Sequence, residues 1–459
     1  MLTYLLSKEG PEPLYAQLYE AIRRDILSGE LKGGERLPSK RQLAEHLNIS
    51  KITVETAYAQ LLAEGYIAAR ERSGYFVEQM PLALRPVQPE AAMPEKTAAS
   101  ENPAASTPET LFPFSVWAKL MRGVLLDEGP ALLQAVPSGG LPALREAIAQ
   151  ELRQSRGMQV LPEQILIGAG AEYFYNLLIQ FFGRERRYAL EELGHQKIAR
   201  VYAANGVEAV PIAMDADGVC VDALRVSGAS ILHITPSHHY PTGIVTPISR
   251  RQSIMAWLME APDRYAIEDD YDSEFRFSGR PIPTMQSMDG AGRVIYMNTF
   301  SKTIAPALRI SYMILPRQML VSWQEKMGFY SCTVPSFEQL ALTRFLSGGY
   351  FERHLNRMKK YYRTLRQSLR EILAEPEFAE LCTVRGAEAG LHFVLQFRTQ
   401  LQDSELEEKL RQAGLEAPLL SSFYVSPPRA AARSSAVIGY ADLDAEKFRQ
   451  SLKLLKTLL

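Results

Sequence analysis

Val294-Ile-Tyr-Met-Asn-Thr-Phe-Ser-Lys-Thr-Ile-Ala-Pro-Ala-Leu-Arg-Ile-Ser-Tyr-Met313 sets two apolar, strand-like runs on either side of a polar loop. The loop carries Lys302 and, seven residues on, Arg309. Thr299 and Ser301 bring hydroxyls beside the lysine, and an arginine guanidinium can clamp a phosphate through two parallel N–H donors. Lys302 offers an amine that becomes nucleophilic once burial and nearby cations leave it neutral. Upstream, Ala266-Ile-Glu-Asp-Asp-Tyr-Asp-Ser-Glu-Phe275 runs from apolar residues into a group of carboxylates around a tyrosine.

Lysine, carboxylate, phenol and arginine are the groups a pyridoxal phosphate site needs. A carboxylate on the pyridine nitrogen keeps the ring protonated and electron-withdrawing, and a phenol can hold the ring hydroxyl. The residues resemble those of fold-type-I aminotransferases. That resemblance implies Lys302 as the catalytic Schiff-base lysine, Asp269 on the pyridine nitrogen, Tyr271 on the ring hydroxyl and Arg309 on the phosphate, with Thr299 and Ser301 alongside.

The chain has 459 residues, of which 46% are hydrophobic, so two or three domains with sizeable cores are expected. A formal net charge of −1 gives no global pull toward nucleic acid, and any such binding must come from a local basic face. Cys220, Cys332 and Cys382 are scattered and odd in number, which suggests a reducing compartment without a disulfide framework or thiolate metal site. The first residues are too short an apolar stretch for a signal peptide, and no run approaches membrane-spanning length. A soluble, cytoplasmic protein with no membrane partner is expected.

At the N-terminal end, Leu14, Leu18, Ala21, Ile22 and Ile26 recur at helical spacing and predict a helix over 14–27. Ser39 is placed to cap Lys40–Leu47, and Asn48-Ile49-Ser50 forms a tight turn. The helix predicted over 51–64 turns Val54, Ala57, Tyr58, Leu61 and Leu62 inward and leaves Lys51, Thr53 and Glu55 outside. Tyr66–Val77 reads as a hairpin with Arg70, Arg72, Ser73 and Gly74 near its tip. Residues 12–78 thus resemble the winged helix-turn-helix head of GntR-type regulators. That resemblance implies Arg41, Lys51, Thr53 and Arg72 on the phosphates or base edges of double-stranded DNA. His46 is read as a surface residue.

Pro81, Pro86, Pro89, Pro94, Pro103 and Pro108 stand among alanines, serines and glutamates, a composition that predicts a tether. The expected domains are therefore a head over 1–78, a linker over 79–110 and a body over 111–459. In the body, helical and strand patterns alternate, predicting an α/β fold with a largely parallel sheet. Gly139–Leu152 begins a helix with proline in its first turn. In Gln164–Leu178, a strand passes through Ala169-Gly170-Ala171 into a helix whose first amides can meet a phosphate. Tyr188–His195 is read as a strand ending at His195, and a long helical stretch is expected from Glu338 through Leu373.

The aminotransferase resemblance implies that His195 stacks on the pyridine ring and that Lys197 lies close enough to meet an effector carboxylate. Ile231–Gly243 holds His233, His238 and His239. No metal site is expected, because adjacent histidines point apart in extended chain and no cysteine accompanies them. Pro236-Ser237-His238 followed by Pro241-Thr242-Gly243 resembles the MocR branch of GntR regulators, which join a winged head to an aminotransferase-like body. Tyr240 stands where aminotransferases place an asparagine on the ring hydroxyl. Val437 stands where they place the arginine that grips the substrate carboxylate, and Arg433, four residues earlier, is about 13 Å away along an extended strand.

The sequence thus implies a homodimeric, pyridoxal-phosphate-binding transcription regulator whose body senses an amino acid, an amine or pyridoxal phosphate. Val437 weighs against the rival, an active aminotransferase with a DNA-binding appendage. Lys302, Asp269 and Arg309 weigh against a body that has lost its cofactor.

Overall fold

The computed structural model describes residues 2–7, 12–70, 73–79, 111–277, 282–387, 389–425 and 434–459. The chain divides into two compact units, Met1–Ala98 and Ala99–Leu459. Beyond Gln79 the predicted linker lies outside the described residues, as do Arg72 and Arg433.

In the first unit, helices Leu14–Ser28, Lys40–Leu47 and Lys51–Ala63 pack around Leu18, Ile22, Leu43, Val54, Tyr58 and Leu61. Ser39 and Gln42 cap the second helix reciprocally, each backbone N–H donating to the other's side chain at 3.2 Å. Asn48, at φ 52°, makes the left-handed step that ends this helix, and Ser50 starts the next by accepting the Thr53 amide. Leu62 corrects the sequence expectation: it is 41% exposed, because a helix turns about 100° per residue and carries it off the core face that Leu61 occupies. Strands Ile67–Arg70 and Gly74–Val77 pair antiparallel, with Arg70 opposite Gly74.

The second unit is built on a seven-stranded sheet. Across it the strands run Ile165–Gly168, Ser311–Ile314, Val294–Thr299, Tyr265–Asp270, Ile231–Ile234, Tyr188–Glu191 and Val210–Ile212. Ser311–Ile314 is antiparallel to both neighbours and the remaining pairs are parallel. Helices cover the sheet, so inner strands such as Ile231–Ile234 and Tyr188–Glu191 are buried along their whole length. Polar residues therefore gather at the carboxyl ends of the parallel strands, the usual place for a ligand crevice in such a sheet.

Two element boundaries differ from expectation. The strand expected to reach His195 closes at Glu191, and His195 instead caps the helix Gln196–Ala204, its Nδ1 accepting the Lys197 amide at 3.2 Å. The long helical stretch is divided into two helices, Ser336–Ser347 and Tyr350–Ala374, because Gly349 takes a left-handed φ of 64° that breaks the hydrogen-bond ladder. Tyr362 on the second of these is fully buried, whereas Tyr361 is exposed. A smaller antiparallel sheet, Cys382–Arg385, His392–Phe397 and Ser435–Gly439, precedes the closing helix Ala445–Leu458. Among the described residues no helix is long and apolar enough to cross a membrane.

Candidate functional site

Three consecutive carboxylates, Glu268, Asp269 and Asp270, are buried at the end of one strand, where ion burial is costly unless each charge is met. Side chains alternate between the two faces of a strand, so Glu268 and Asp270 leave on one face and Asp269 on the other. Glu268 accepts the Met285 and Gln286 amides at 2.9 Å each, with Arg251 3.5 Å away. Asp270 meets Arg156 at 2.5 Å and the Tyr296 hydroxyl at 2.7 Å. Asp269 accepts from the Tyr175 hydroxyl, has His233 Nε2 at 3.5 Å, and lines an open cavity of about 360 Å³.

Lys302, Tyr271, Tyr240, His195, Lys197, Thr299, Ser301, Arg309 and Ala171 line the same cavity. Burial lowers the Lys302 amine to about 8, with the Asp272 and Asp442 carboxylates partly opposing the shift. Thr299 donates its hydroxyl to Ser301 Oγ at 2.9 Å and in turn accepts the Ser301 amide at 3.2 Å, which folds the loop before the lysine. The Tyr271 hydroxyl lies 3.3 Å from His238 Nδ1. Tyr240, on the amino side of a cis Tyr240–Pro241 bond, has a buried hydroxyl with no hydrogen-bond partner among the described residues. Its ring centroid lies 5.5 Å from that of His195.

Opposite these groups is the start of helix Ala171–Phe182. Gly170, at φ 93°, holds the turn open: a Cβ there would stand 2.7 Å from Arg309 Nη2. Arg309 donates to the Ala169 carbonyl at 3.4 Å, while the Ala169 amide is taken by Thr333 Oγ1 at 2.9 Å. Glu172 in this first turn pairs with Lys197 at 2.5 Å and lies 3.9 Å from Arg309.

Several contributors carry no signal in the sequence reading. Tyr175 sits one helical turn after Ala171, and only its spacing points it at Asp269. Glu172 stands just past a turn of small residues whose own chemistry draws the eye. Glu191, buried in the wall, accepts the Thr235 amide and hydroxyl at 3.1 and 2.8 Å, and burial raises its carboxyl to about 8. The three histidines of Ile231–Gly243 part toward different groups: His233 to Tyr202 at 3.1 Å, His238 to Asp272 at 2.8 Å and His239 to Thr242 at 2.6 Å. His238, Asp272 and buried His392 are the one group among the described residues whose ligand atoms gather closely enough for a metal ion. Val437 is fully buried with Leu193, Tyr240, Val394 and Phe423.

On the head, Arg41 is 84% exposed and pairs with Glu45 at 2.9 Å, and Lys51 is 3.6 Å from Glu55. The Thr53 hydroxyl is engaged with Ser50 Oγ at 2.8 Å. Ile52, which the sequence pattern does not single out, projects 73% exposed from the first turn of the same helix.

The description "Bacterial regulatory proteins, gntR family" matches residues 14–77, and "Aminotransferase class I and II" matches residues 101–453. The chain is 36% identical over 99% of its length to the uncharacterized HTH-type transcriptional regulator YdeL of Bacillus subtilis (strain 168), covering 98% of that protein. It is 32% identical to the probable rhizopine catabolism regulatory protein MocR of Rhizobium meliloti, over 99% of this chain and 95% of that protein. In fold the body is similar to LysN, the α-aminoadipate aminotransferase of Thermus thermophilus, solved with N-(5'-phosphopyridoxyl)-L-leucine. The TM-score is 0.67 at 22% identity, over 77% of this chain and 90% of that one.

Proposed function

We propose, from the premise that this chain belongs to the MocR branch of GntR-type transcription regulators, that it binds DNA through its head and holds pyridoxal phosphate in its body. An amino acid, an amine or pyridoxal phosphate itself is the signal. What carries this reading is the convergence of Lys302, Asp269 and Arg309 on one cavity in a chain that begins with a winged helix-turn-helix.

The cavity suits the cofactor on three counts: its volume of about 360 Å³, the unpartnered buried hydroxyl of Tyr240, and the glycine that clears space beside Arg309. Lys302 would form the Schiff base, Asp269 would pair with the pyridine nitrogen, and Tyr271 and Tyr240 would flank the ring hydroxyl. His195 would lie against the ring. Arg309, Thr299, Ser301 and the amide of Ala171 would hold the phosphate, since within the turn Ala169-Gly170-Ala171 the Ala169 amide is taken by Thr333 and the Gly170 amide by the Gly168 carbonyl. When bound, the cofactor supplies an electrophilic carbon and an electron-withdrawing ring. Lys302 has a lowered pKa and so offers its lone pair near neutral pH, while Asp269, held in place by Tyr175 and His233, would present its side-chain oxygens to the ring nitrogen. Lys197 would meet an effector carboxylate once Glu172 yields it.

On the head, Arg41, Lys51 and Thr53 would face double-stranded DNA, with Arg72 on the wing. A cytoplasmic homodimer would present two such heads to two half-sites. A ligand held without being consumed can shift the body between states and so reposition the heads. The deciding measurement is the absorbance of the purified protein mixed with pyridoxal phosphate and titrated with amines and amino acids, read alongside operator binding. Lack of cofactor uptake, or ligand exchange that leaves DNA affinity unchanged, defeats the proposal.

A further inference from the structure

Asp270 and Asn298 leave their strands on the face away from Asp269, and behind them lies a second cavity of about 240 Å³. It opens where the end of helix Pro142–Arg156, the segment 273–276 and helix Tyr350–Ala374 meet. Its wall carries charges of both signs: Glu151 and Glu274, with Arg156, Arg276 and Lys359. Arg156 is committed to Asp270 at 2.5 Å. Glu274 is met on one oxygen only, where Asn298 Nδ2 donates to Oε1 at 3.1 Å. Its Oε2 is shut off from solvent and has no hydrogen-bond partner among the described residues. Lys359, across the same cavity, has no ion pair among the described residues. Burial raises the Glu274 carboxyl to about 7 and pulls the Lys359 ammonium below its ordinary value, as expected of two enclosed charges that lack full countercharges.

We propose that this cavity is a second small-molecule site, which takes a free α-amino acid as its zwitterion, the ammonium group on Glu274 and the carboxylate on Lys359. A simple amine or a simple acid would satisfy one wall and leave the other charge buried and unmet, which is costly. A zwitterion meets both without adding net charge. The volume lies just under the roughly 300–1,000 Å³ of drug-sized pockets, which favours a ligand of amino-acid size. The site also communicates with the cofactor cavity. Thr299 lines both, and its amide donates to Asn298 Oδ1 at 2.5 Å, so an ammonium group drawing on Glu274 acts on the loop that carries Lys302.

This second site is independent of the cofactor reading, and its test keeps the two apart. Full-length protein whose cofactor has been fixed to Lys302 by borohydride is titrated calorimetrically with the common L-amino acids singly, then with butylamine and with butyrate. At least one amino acid is expected to bind once per chain, with both single-charge probes at least tenfold weaker. Glu274→Gln and Lys359→Met should each weaken that amino acid at least tenfold while leaving the cofactor absorbance unchanged. The site is ruled out if no amino acid binds the reduced protein, if butylamine or butyrate binds equally well, or if neither substitution matters. Should a variant fail to fold, the butylamine and butyrate comparison on the unsubstituted protein still decides. Should the protein take up no cofactor, the reading of the first cavity fails, and the same titration on the protein as purified tests the second.

Discussion

Lys197 Nζ stands 2.5 Å from Glu172 Oε1, and the other oxygen of that carboxylate lies 3.9 Å from Arg309. One anionic side chain thus sits between two cations that the proposed function gives to an effector carboxylate and a phosphate. Glu172→Gln should tighten pyridoxal phosphate, by up to about fivefold given that such half-exposed pairs are worth about 0.2–1 kcal/mol. An equilibrium titration of cofactor-free protein measures it. Unchanged or weaker binding would mean that Glu172 positions the two cations rather than competing with the incoming anion.

The Tyr175 hydroxyl donates to Asp269, and both residues are buried. A hydrogen bond to a charged group is worth about 1.5–3 kcal/mol, so Tyr175→Phe should weaken cofactor retention roughly tenfold to a hundredfold. Asp269→Ala should cost more and shift the absorbance while still allowing attachment to Lys302. If Asp269→Ala leaves spectrum and affinity unchanged, the pyridine contact belongs to another group. Asp270 is a poor substitute, held as it is by Arg156 and Tyr296 on the opposite face.

For Lys302 the sign of the pH effect is fixed by burial. Its folded-state value is lowered to about 8, below the ordinary lysine value of 10.5, so between these the unfolded chain holds a proton that the folded chain does not. Cofactor-free protein should therefore gain stability as pH rises from about 8 toward 10, and the increment should vanish in Lys302→Met. Attachment of pyridoxal phosphate should accelerate with a midpoint near the same pH, because only the neutral amine attacks. Lys302→Ala should lose every borohydride-reducible linkage; a linkage that survived would move the nucleophile elsewhere.

Much of this site can be read from the chain because its chemistry is local. Lys302 and Arg309 share one loop, and Asp269 and Tyr271 sit at one strand end, so sequence spacing alone sets them side by side. Tyr175, Glu172 and Glu191 are not legible there because each reaches the cavity through tertiary packing, from helix or strand positions whose identity carries no motif. The helix break at Gly348-Gly349 is masked by the apolar periodicity on either side, and Leu62 by its place beside Leu61 in the last turn. The second cavity is invisible in the sequence for the same reason. Glu274 and Lys359 are far apart in sequence, and only the fold makes them two walls of one space.

For the head, the expected signature is salt dependence. If Arg41 contacts a phosphate, Arg41→Ala should weaken binding to cognate and unrelated duplexes alike and reduce the salt slope by about one counterion. Its pairing with Glu45 can yield to the phosphate at little cost, since both side chains are exposed and solvent screens the pair. If Lys51 reads a base edge, its loss should instead be confined to the cognate site and cost roughly 1–3 kcal/mol. Fluorescence anisotropy across a salt series separates the two. Unaltered affinity in both variants would remove this face from DNA recognition.

The last prediction concerns turnover. The aminotransferase resemblance puts Val437 in the place of the arginine that clamps a substrate carboxylate, and Val437 is fully buried with Leu193, Tyr240, Val394 and Phe423. A guanidinium in that apolar setting would be buried without a countercharge among these neighbours, which is costly. A ligand amine can still reach the cavity of Lys302 and Asp269, but amino transfer also needs the substrate Cα–H held perpendicular to the conjugated plane. A misplacement of about 1 Å can cost about a hundredfold in rate. Lys197 could draw in a carboxylate as a point charge, yet it constrains orientation less than a bidentate arginine would. Single-turnover absorbance measurements with a panel of amino acids should therefore record binding without appreciable transfer of the amino group. Conversion at ordinary enzyme rates, about 1–1,000 per second, would make the body an enzyme and the head its appendage.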